Sequence, residues 1–266
     1  MIIAAPSPKL RLQGAPNFRD LAGLPSADGR KIRPRLLFRS EGPAHFNAND
    51  AAALRALDIR TVCDLRSDGE RRAHPNDWCD EGRLLQIDID IDVRVSGHQA
   101  WELLRHDPTA AGARAAMRYN YRAMGRIIEI PFRRLVDHLL MTGRVPLLIH
   151  CTGGKDRTGV MTALLLHALG IDEGEIEADY LLSSRHTGGA RFAGGLRRMF
   201  DELGIVDPPP ELIALVIGVE ASYLEAAMRE ILRGSTTLER FFGERIGLDR
   251  SRRAALEDIF LEASQW

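Results

Sequence analysis

The spacing of hydrophobic and polar residues divides the chain into short extended segments and longer helical ones. Apolar runs at 59–65 and 145–150 predict buried strands, and alternation over 84–93 predicts a half-exposed strand or strand end. Residues 9–40 predict short strands joined by turns. The sheet-forming segments therefore lie mostly in the first half of the chain.

Helical periodicity covers most of the remaining residues. The predicted helices are 51–57, 98–141 with breaks near Asp107-Pro108 and Ile130-Pro131, 158–169, and one long helix over 211–232. Asn49 and Asp50 are expected to cap the first of them. Because strands alternate with helices, the pattern favours a layered α/β fold with a mostly parallel central sheet.

Composition limits the class of protein. The chain has 266 residues, 45% of them hydrophobic, which suits a single domain, 1–266, with a large core. The 36 basic and 37 acidic residues nearly cancel, and this balance argues against a nucleic-acid partner. No segment has the length and hydrophobicity of a transmembrane span, so no integral membrane segment is predicted.

The cysteine content indicates a reducing compartment. Cys63, Cys79 and Cys151 form an odd and sparse set that does not describe a disulfide framework. The N-terminus has no basic region ahead of a long apolar core, so no cleaved signal peptide is predicted. We therefore expect a cytoplasmic protein, while secretion by a route that needs no such signal stays open.

One ten-residue segment, 150–159, carries the clearest chemistry. It reads His-Cys-Thr-Gly-Gly-Lys-Asp-Arg-Thr-Gly and joins the predicted strand 145–150 to the predicted helix 158–169. A loop that leads into a helix N-terminus turns backbone N–H groups inward and binds anions. The segment therefore predicts a phosphate-binding loop with a cysteine at its base.

The side chains of this loop match what hydrolysis of a phosphate monoester requires. Cys151 is predicted to be the nucleophile, and Arg157 to hold two phosphate oxygens with its planar fork. His150 is expected to support the loop through hydrogen bonds. Lys155 would add positive charge at the rim, and the Thr158 hydroxyl would bond the departing cysteine sulfur. The predicted substrate-binding residues are Thr152, Gly153, Gly154, Lys155 and Thr158.

Motifs outside the loop extend over nearly the whole chain. They are Asn17-Phe18-Arg19-Asp20, Leu37-Phe38-Arg39-Ser40, Val62-Cys63-Asp64-Leu65-Arg66-Ser67 with Glu70, Ala178-Asp179-Tyr180-Leu181-Leu182-Ser183, and 223–248. Together with 150–159 they resemble the bacterial cysteine-dependent protein tyrosine phosphatases that carry an HCxxGKDRTG loop. The resemblance implies a three-layer phosphatase fold, a helical insert or lid at 94–144, and hydrolysis through a cysteinyl-phosphate intermediate. It implies phosphorylated protein (on tyrosine, and also serine or threonine) or phosphoinositide as substrate. The sequence has no metal-ligand cluster of recognisable spacing, so no metal and no cofactor are predicted.

The general acid that protonates the leaving group is expected to be an aspartate. Asp88, Asp90 and Asp92 fall on one face of the alternating segment 84–93. Asp90 is preferred because it aligns best with the aspartate that ends the equivalent strand in the resembling group. Asp156, inside the loop, is the other candidate, either assisting the phosphate chemistry or fixing the shape of the loop.

A row of arginines marks the predicted insert. Arg114, Arg118, Arg122 and Arg126 recur every four residues, so they stay on one broad helix face. A solvated basic face is one interpretation. The other is a lid that turns these arginines toward an anionic substrate, which would favour phosphoinositides or soluble inositol phosphates.

Two other functions use a similar loop. A rhodanese-like sulfur transferase also has a cysteine in an anion-binding loop, but the run Gly-Lys-Asp-Arg-Thr-Gly disfavours it. A pseudophosphatase would bind phosphoproteins without turnover, and intact Cys151 and Arg157 argue against that. Arg19, Asp20, Arg66 and Glu70 are expected to form a structural ion-pair network near the loop, not to catalyse.

Overall fold

A mixed, mostly parallel sheet forms the centre of the computed structural model, which describes residues 10–87, 96–186 and 189–263, without the side chains of 96–98, 186 and 189–193. Within these ranges the strands are β1 (Arg19–Asp20), β2 (Leu37–Ser40), β3 (Thr61–Asp64), β4 (Leu84–Gln86) and β5 (Leu147–His150). Their order is β1-β2-β5-β3-β4, and only the β1–β2 pair is antiparallel. The predicted α/β class is confirmed.

Helices flank this sheet and fill the second half of the chain. They are α1 (Ala48–Ala56), α2 (Asp68–Ala73), α3 (Ser96–His106), α4 (Ala110–Ile127), α5 (Glu129–Thr142), α6 (Asp156–Ala168), α7 (Glu173–His186), α8 (Gly189–Glu202), α9 (Pro210–Ile217), α10 (Ala221–Ile231), α11 (Leu238–Arg240) with a π-helical turn at Phe241–Ile246, and α12 (Arg250–Phe260). In the part of the chain that the structure describes, none of them is long and apolar enough to cross a membrane.

The strand register determines where the candidate loop lies. Ser40, His150 and Asp64 are aligned across the parallel strands β2, β5 and β3. The carboxyl ends of these strands therefore lie along one edge of the sheet, which is where open α/β sheets bind ligands. The loop that follows β5 lies at this edge between the segments that leave β2 and β3.

Each face of the sheet is covered by its own apolar layer. On one face, Leu54 of α1 packs against Phe38, Val62 and Leu148. On the other face, α4, α5 and α6 contribute to a larger core, where α6 is buried along almost its whole length. Burial of apolar surface on both sides of the sheet is the main source of stability in such a three-layer arrangement.

The helices of the predicted insert at 94–144 pack in two different apolar clusters. Helix α5 belongs to the main core, where Phe132 and Val136 are fully buried. Helix α3 and the first half of α4 instead pack with α8 and α9 in a separate apolar cluster that includes Leu104, Phe200 and Leu212. The assignment of this segment as a lid, and of 1–266 as one domain, stays a prediction.

The single long helix predicted over 211–232 is wrong, because the chain leaves the helix between α9 and α10. Gly218 is extended, and a Cβ added there would lie 2.7 Å from the carbonyl oxygen of Ala214. The Ser184 hydroxyl of α7 accepts from the Val219 N–H at 2.8 Å and donates to the Val219 carbonyl at 3.0 Å. A side chain from another helix thus satisfies the backbone groups that the break exposes.

Two helix boundaries in the structure also differ from the predicted ones. Helix α1 begins at Ala48, not at 51, because Asn47 caps it and forms a reciprocal capping box with Asp50. The break predicted near Ile130-Pro131 lies at Ile128, so that Pro131 falls in the first turn of α5, where its missing N–H is not required.

Candidate active site

The loop between β5 and α6 is built around a buried cysteine. Cys151 follows β5 directly and is 3% exposed, and α6 begins five residues later at Asp156. The unpaired N–H groups of the first turn of α6 point back toward the loop, which makes this end of the helix attractive to anions. The predicted order of strand, loop and helix is therefore present.

Gly154 gives the loop its sharp turn. Its φ is +64°, and a Cβ at this position would lie 2.5 Å from the backbone carbonyl group of Ser40. Its carbonyl oxygen accepts hydrogen bonds from Asn17 Nδ2 at 2.9 Å and Arg39 Nη2 at 3.0 Å. Only glycine fits the space and the backbone conformation, and residues far away in the sequence hold the loop from outside.

A buried carboxylate orders the residues that hold Gly154. Asp179 Oδ1 accepts from Arg19 Nε at 2.6 Å, and its Oδ2 accepts from Arg39 Nη1 at 2.7 Å. Although burial raises the pKa of Asp179, the two arginines hold it below its ordinary value. Burial and the nearby Arg39 charge lower the pKa of Arg19 to about 10. The predicted network near the loop thus includes Arg19, with Asp179 as its centre.

Arg157 is oriented by a carboxylate that sequence reasoning assigned only to a structural network. Glu70 accepts two hydrogen bonds at 2.7 Å, one from each terminal nitrogen of Arg157, and a third from the Thr152 hydroxyl. Burial raises the pKa of Glu70, but the bonds from Arg157 lower it to about 2. Burial lowers the pKa of Arg157, yet its hydrogen bonds to Glu70 raise it above its ordinary value. The guanidinium therefore stays charged and lies within the electrostatic reach of Cys151.

His150 lies beneath the loop and makes no solvent contact. Its Nδ1 is 3.1 Å from the Cys151 carbonyl oxygen, and its Nε2 is 3.3 Å from Asn76 Nδ2. Burial is the largest influence on the pKa of His150 and lowers it, so the ring is neutral at pH 7. These contacts support the loop backbone, and the predicted supporting role of His150 is consistent with them.

Lys155 is placed differently from the rim position that was expected. Its Nζ donates to the carbonyl oxygens of Val216 at 2.8 Å and Gly218 at 3.2 Å, at the C-terminal end of α9. It also lies 3.3 Å from Asp156 Oδ2. A lysine at a helix C-terminus satisfies carbonyls that lack partners, so Lys155 ties the loop to α9.

The remaining predicted residues fall around the same loop. Thr152 is exposed and bonded to Glu70, and Gly153 is half-buried. The Thr158 hydroxyl is buried and has no hydrogen-bond partner among the described residues, and its bond to the departing sulfur stays a prediction. Asp88, Asp90 and Asp92 lie outside the described residues, which leaves the preferred acid, Asp90, untested. Asp156, in contrast, opens α6 and accepts a hydrogen bond from the Tyr121 hydroxyl at 2.6 Å.

A cavity of about 350 Å³ opens beside the loop. Its polar lining comes from the loop and from Asn120, and its apolar walls from α3, α4, α8 and α9. The lining residues are Trp101, Met117, Asn120, Tyr121, Met124, Lys155, Asp156, Arg157, Gly195, Leu196, Met199, Val216 and Ile217. A mostly apolar cavity with a few charged groups at one end is typical of a binding site for a small organic group.

The arginine row does not face this cavity. Arg114 pairs with Glu220 at 3.0 Å, and Arg126 pairs with Glu230 at 3.1 Å, both at α10. Helix α4 turns its apolar face, with Met117 and Met124, toward the cavity instead. Two of the four arginines thus face α10, and none of the four lines the cavity. The substrate-facing interpretation is wrong for Arg114 and Arg126 and stays a prediction for Arg118 and Arg122.

A buried cysteine in a loop that leads into a helix, with an arginine held by a carboxylate, lies at the carboxyl edge of the parallel strands, an arrangement typical of α/β proteins that bind phosphate. Residues 10–262 match the tyrosine phosphatase family. The chain is 33% identical over 250 residues to the triple specificity protein phosphatase PtpB of Mycobacterium tuberculosis, covering 83% of this chain and 87% of that protein. It is 32% identical over 235 residues to a Cupriavidus necator protein named as a tyrosine-protein phosphatase, covering 88% and 82%.

The chain belongs to the tyrosine phosphatase family. The predicted family and enzyme class are thereby confirmed. A solved structure, TpbA of P. aeruginosa, matches over 75% of this chain and 90% of its own at 19% identity, with a TM-score of 0.28. A TM-score this low adds nothing to the assignment.

Proposed function

We propose that this enzyme hydrolyses phosphotyrosine in proteins through a cysteinyl-phosphate intermediate. The observation that carries the proposal is the position of the cavity, whose apolar walls meet Lys155, Asp156 and Arg157 at one end. An aromatic ring fits the apolar walls, and its phosphate then lies at the charged end, on the loop above Cys151. The aromatic ring and the phosphate of phosphotyrosine would thus each contact a complementary surface.

The reaction uses the loop residues in two steps. In the first, the Cys151 thiolate attacks phosphorus, so that the S–P bond forms as the P–O bond to tyrosine breaks, and Asp156 gives its proton to the leaving oxygen. In the second, water attacks phosphorus and passes a proton to Asp156 as the S–P bond breaks. The loop N–H groups and Arg157 bind the phosphoryl oxygens throughout. Asp90 stays the alternative acid.

Phosphoinositides are a weaker candidate than protein substrates. An inositol ring with several phosphates needs several cations near the phosphate loop, whereas two of the α4 arginines pair with glutamates and the cavity walls are apolar. The M. tuberculosis relative is named for triple specificity, so phosphoserine and phosphothreonine belong in any substrate test.

We also propose a cytoplasmic location. Cys63, Cys79 and Cys151 are all free thiols, which suits a reducing compartment and a nucleophile that must stay reduced.

Phosphate release from matched phosphotyrosine, phosphoserine/threonine and phosphoinositide substrates tests the proposal, with Cys151→Ser as the blank. We expect the highest kcat/KM on phosphotyrosine peptides and no turnover in the blank. Turnover that survives in Cys151→Ser would contradict the cysteine mechanism, and a preference for phosphoinositides would contradict the substrate class. Binding of phosphopeptide without turnover by the unmodified chain would indicate a pseudophosphatase.

A further inference from the structure

Two buried tyrosines form a hydrogen-bonded chain that ends on Asp156. The Tyr180 hydroxyl donates to the Tyr121 hydroxyl at 2.7 Å, and the Tyr121 hydroxyl donates to Asp156 Oδ1 at 2.6 Å. The residues come from α7, α4 and the first turn of α6. Both tyrosines are 1% exposed or less, so water does not compete for these bonds.

The direction of these two hydrogen bonds follows from the donors and acceptors that each group has. An ionised carboxylate only accepts, and a tyrosine hydroxyl has a single proton to donate. Tyr121 must therefore give its proton to Asp156 and accept from Tyr180. Burial, and after it the Asp156 charge, raise the pKa of Tyr121 well above its ordinary value, and the same two influences raise that of Tyr180. Both hydroxyls are thus protonated at neutral pH.

We infer that Tyr121 is a positioning residue for Asp156, and that it decides which oxygen of this carboxyl group carries the catalytic proton. The inference rests on the proposed function, in which Asp156 is the general acid. Because Tyr121 donates to Oδ1, a proton taken up by Asp156 goes to Oδ2, and the Lys155 ammonium 3.3 Å from Oδ2 favours release of that proton to the leaving group. The bond from Tyr121 would hold the carboxyl group in one orientation, so that the same oxygen presents the proton in every turnover.

The surroundings of Tyr121 hold its hydroxyl in place. Its ring packs against Tyr180 with centroids 6.3 Å apart and against Tyr223 at 5.7 Å. The ring also forms part of the cavity wall, next to the side chain it orients. Tyr223 belongs to the same cluster, but its hydroxyl donates to the Leu215 carbonyl at 3.3 Å and not to Asp156. Tyr223→Phe is therefore a matched control for Tyr121→Phe.

The test compares two aryl phosphates that differ in how much their leaving group needs a proton. Phenyl phosphate releases a strongly basic phenolate and depends on the acid, whereas 4-nitrophenyl phosphate releases a weakly basic one. We expect Tyr121→Phe to lower kcat/KM about tenfold on phenyl phosphate and less than about twofold on 4-nitrophenyl phosphate. Tyr223→Phe is expected to leave both values within about twofold of the parent enzyme.

A double variant links the effect to Asp156. Asp156→Asn should show a larger form of the same leaving-group dependence, and Tyr121→Phe combined with Asp156→Asn should be no slower than Asp156→Asn alone. Equal losses on both substrates in Tyr121→Phe, or additive losses in the double variant, would overturn the inference.

Failure of the inference and failure of the proposed function give different results. If Cys151→Ser is inactive while Asp156→Asn shows no leaving-group dependence, the cysteine phosphatase stands and the role of Tyr121 falls. If Cys151→Ser stays active, the proposed mechanism itself is wrong, whatever Tyr121→Phe does.

Discussion

Replacing Glu70 by Gln keeps the size of the side chain but removes the charge that faces Arg157. Two bonds of 2.7 Å lose their charge assistance, and the guanidinium becomes a buried cation without its carboxylate. We expect the variant to be less stable at neutral pH and less active, because the arginine fork is no longer held in one orientation.

The size of the stability loss follows from the pKa of Glu70. Its pKa is about 2 in the folded protein and 4.5 ordinarily, a difference of about 2.5, which corresponds to about 3.4 kcal/mol. The side chain is 31% exposed, so solvent screening reduces this figure to roughly 2 kcal/mol. Loss of the fixed arginine geometry should lower kcat/KM about tenfold or more.

Urea unfolding at two pH values tests the argument. A depressed folded-state pKa stabilises the protein above the ordinary value of 4.5, and this stabilisation is lost as the pH falls toward 2. The difference between parent and Glu70→Gln should therefore be roughly 2 kcal/mol at pH 7 and about 60% of that at pH 3.5.

A matched control distinguishes the loss of the Glu70–Arg157 ion pair from the loss of an exposed surface charge. Asp68→Asn removes a carboxylate from the same helix that also faces an arginine, Arg71, but Asp68 is 70% exposed. It should change neither stability nor activity noticeably. A Glu70→Gln variant as stable as its parent at pH 7, or a difference that does not shrink at pH 3.5, would refute the reasoning.

Three further predictions follow from the loop and its supports. Gly154→Ala should abolish activity and lower the free energy of unfolding by more than about 2 kcal/mol in urea, because its Cβ would lie 2.5 Å from the Ser40 backbone. Gly143 also has a positive φ, +59°, but open space surrounds it, so Gly143→Ala should lose only about 1 kcal/mol and keep its activity. Asp179→Asn should lower the free energy of unfolding by about 3 kcal/mol, since the buried Arg39 and the half-buried Arg19 lose their counter-charge; an unchanged urea midpoint would contradict this. Activity measured in EDTA should equal activity without it, and a loss restored by a divalent cation would show that the cofactor-free mechanism is wrong.

The parts of the fold that sequence could predict are those whose signals are local. The phosphate loop lies in ten consecutive residues between an apolar strand and an apolar helix, so its place in the fold follows from the printed sequence. Helix α2, in contrast, was not predicted, although Ser67 and Glu70 form a capping box at its start. The contact between Glu70 and Arg157 spans 87 positions, and no local pattern records it.

Other features depended on neighbours that sequence does not place. The four-residue spacing of the arginines fits a basic face directed at substrate as well as one directed at an acidic helix, and only the position of Glu220 and Glu230 decides. The apolar run over 211–232 has the period of one helix, while Ser184 and Lys155 bind the backbone at its break. In the sequence Tyr121 is one more apolar position of α4, and only the structure shows that its hydroxyl donates to Asp156.

The distance along the chain between the loop and its supports governs when this enzyme becomes active during synthesis. Asn17, 137 positions earlier, donates a hydrogen bond to Gly154, and Asp179 orders the residues that hold Gly154. A nascent chain that ends just after the phosphate loop carries the whole motif but neither this carboxylate nor the α9 carbonyls that bind Lys155. Such a fragment has the nucleophile without its scaffold, so we expect activity only after the residues through Gly218 have left the ribosome.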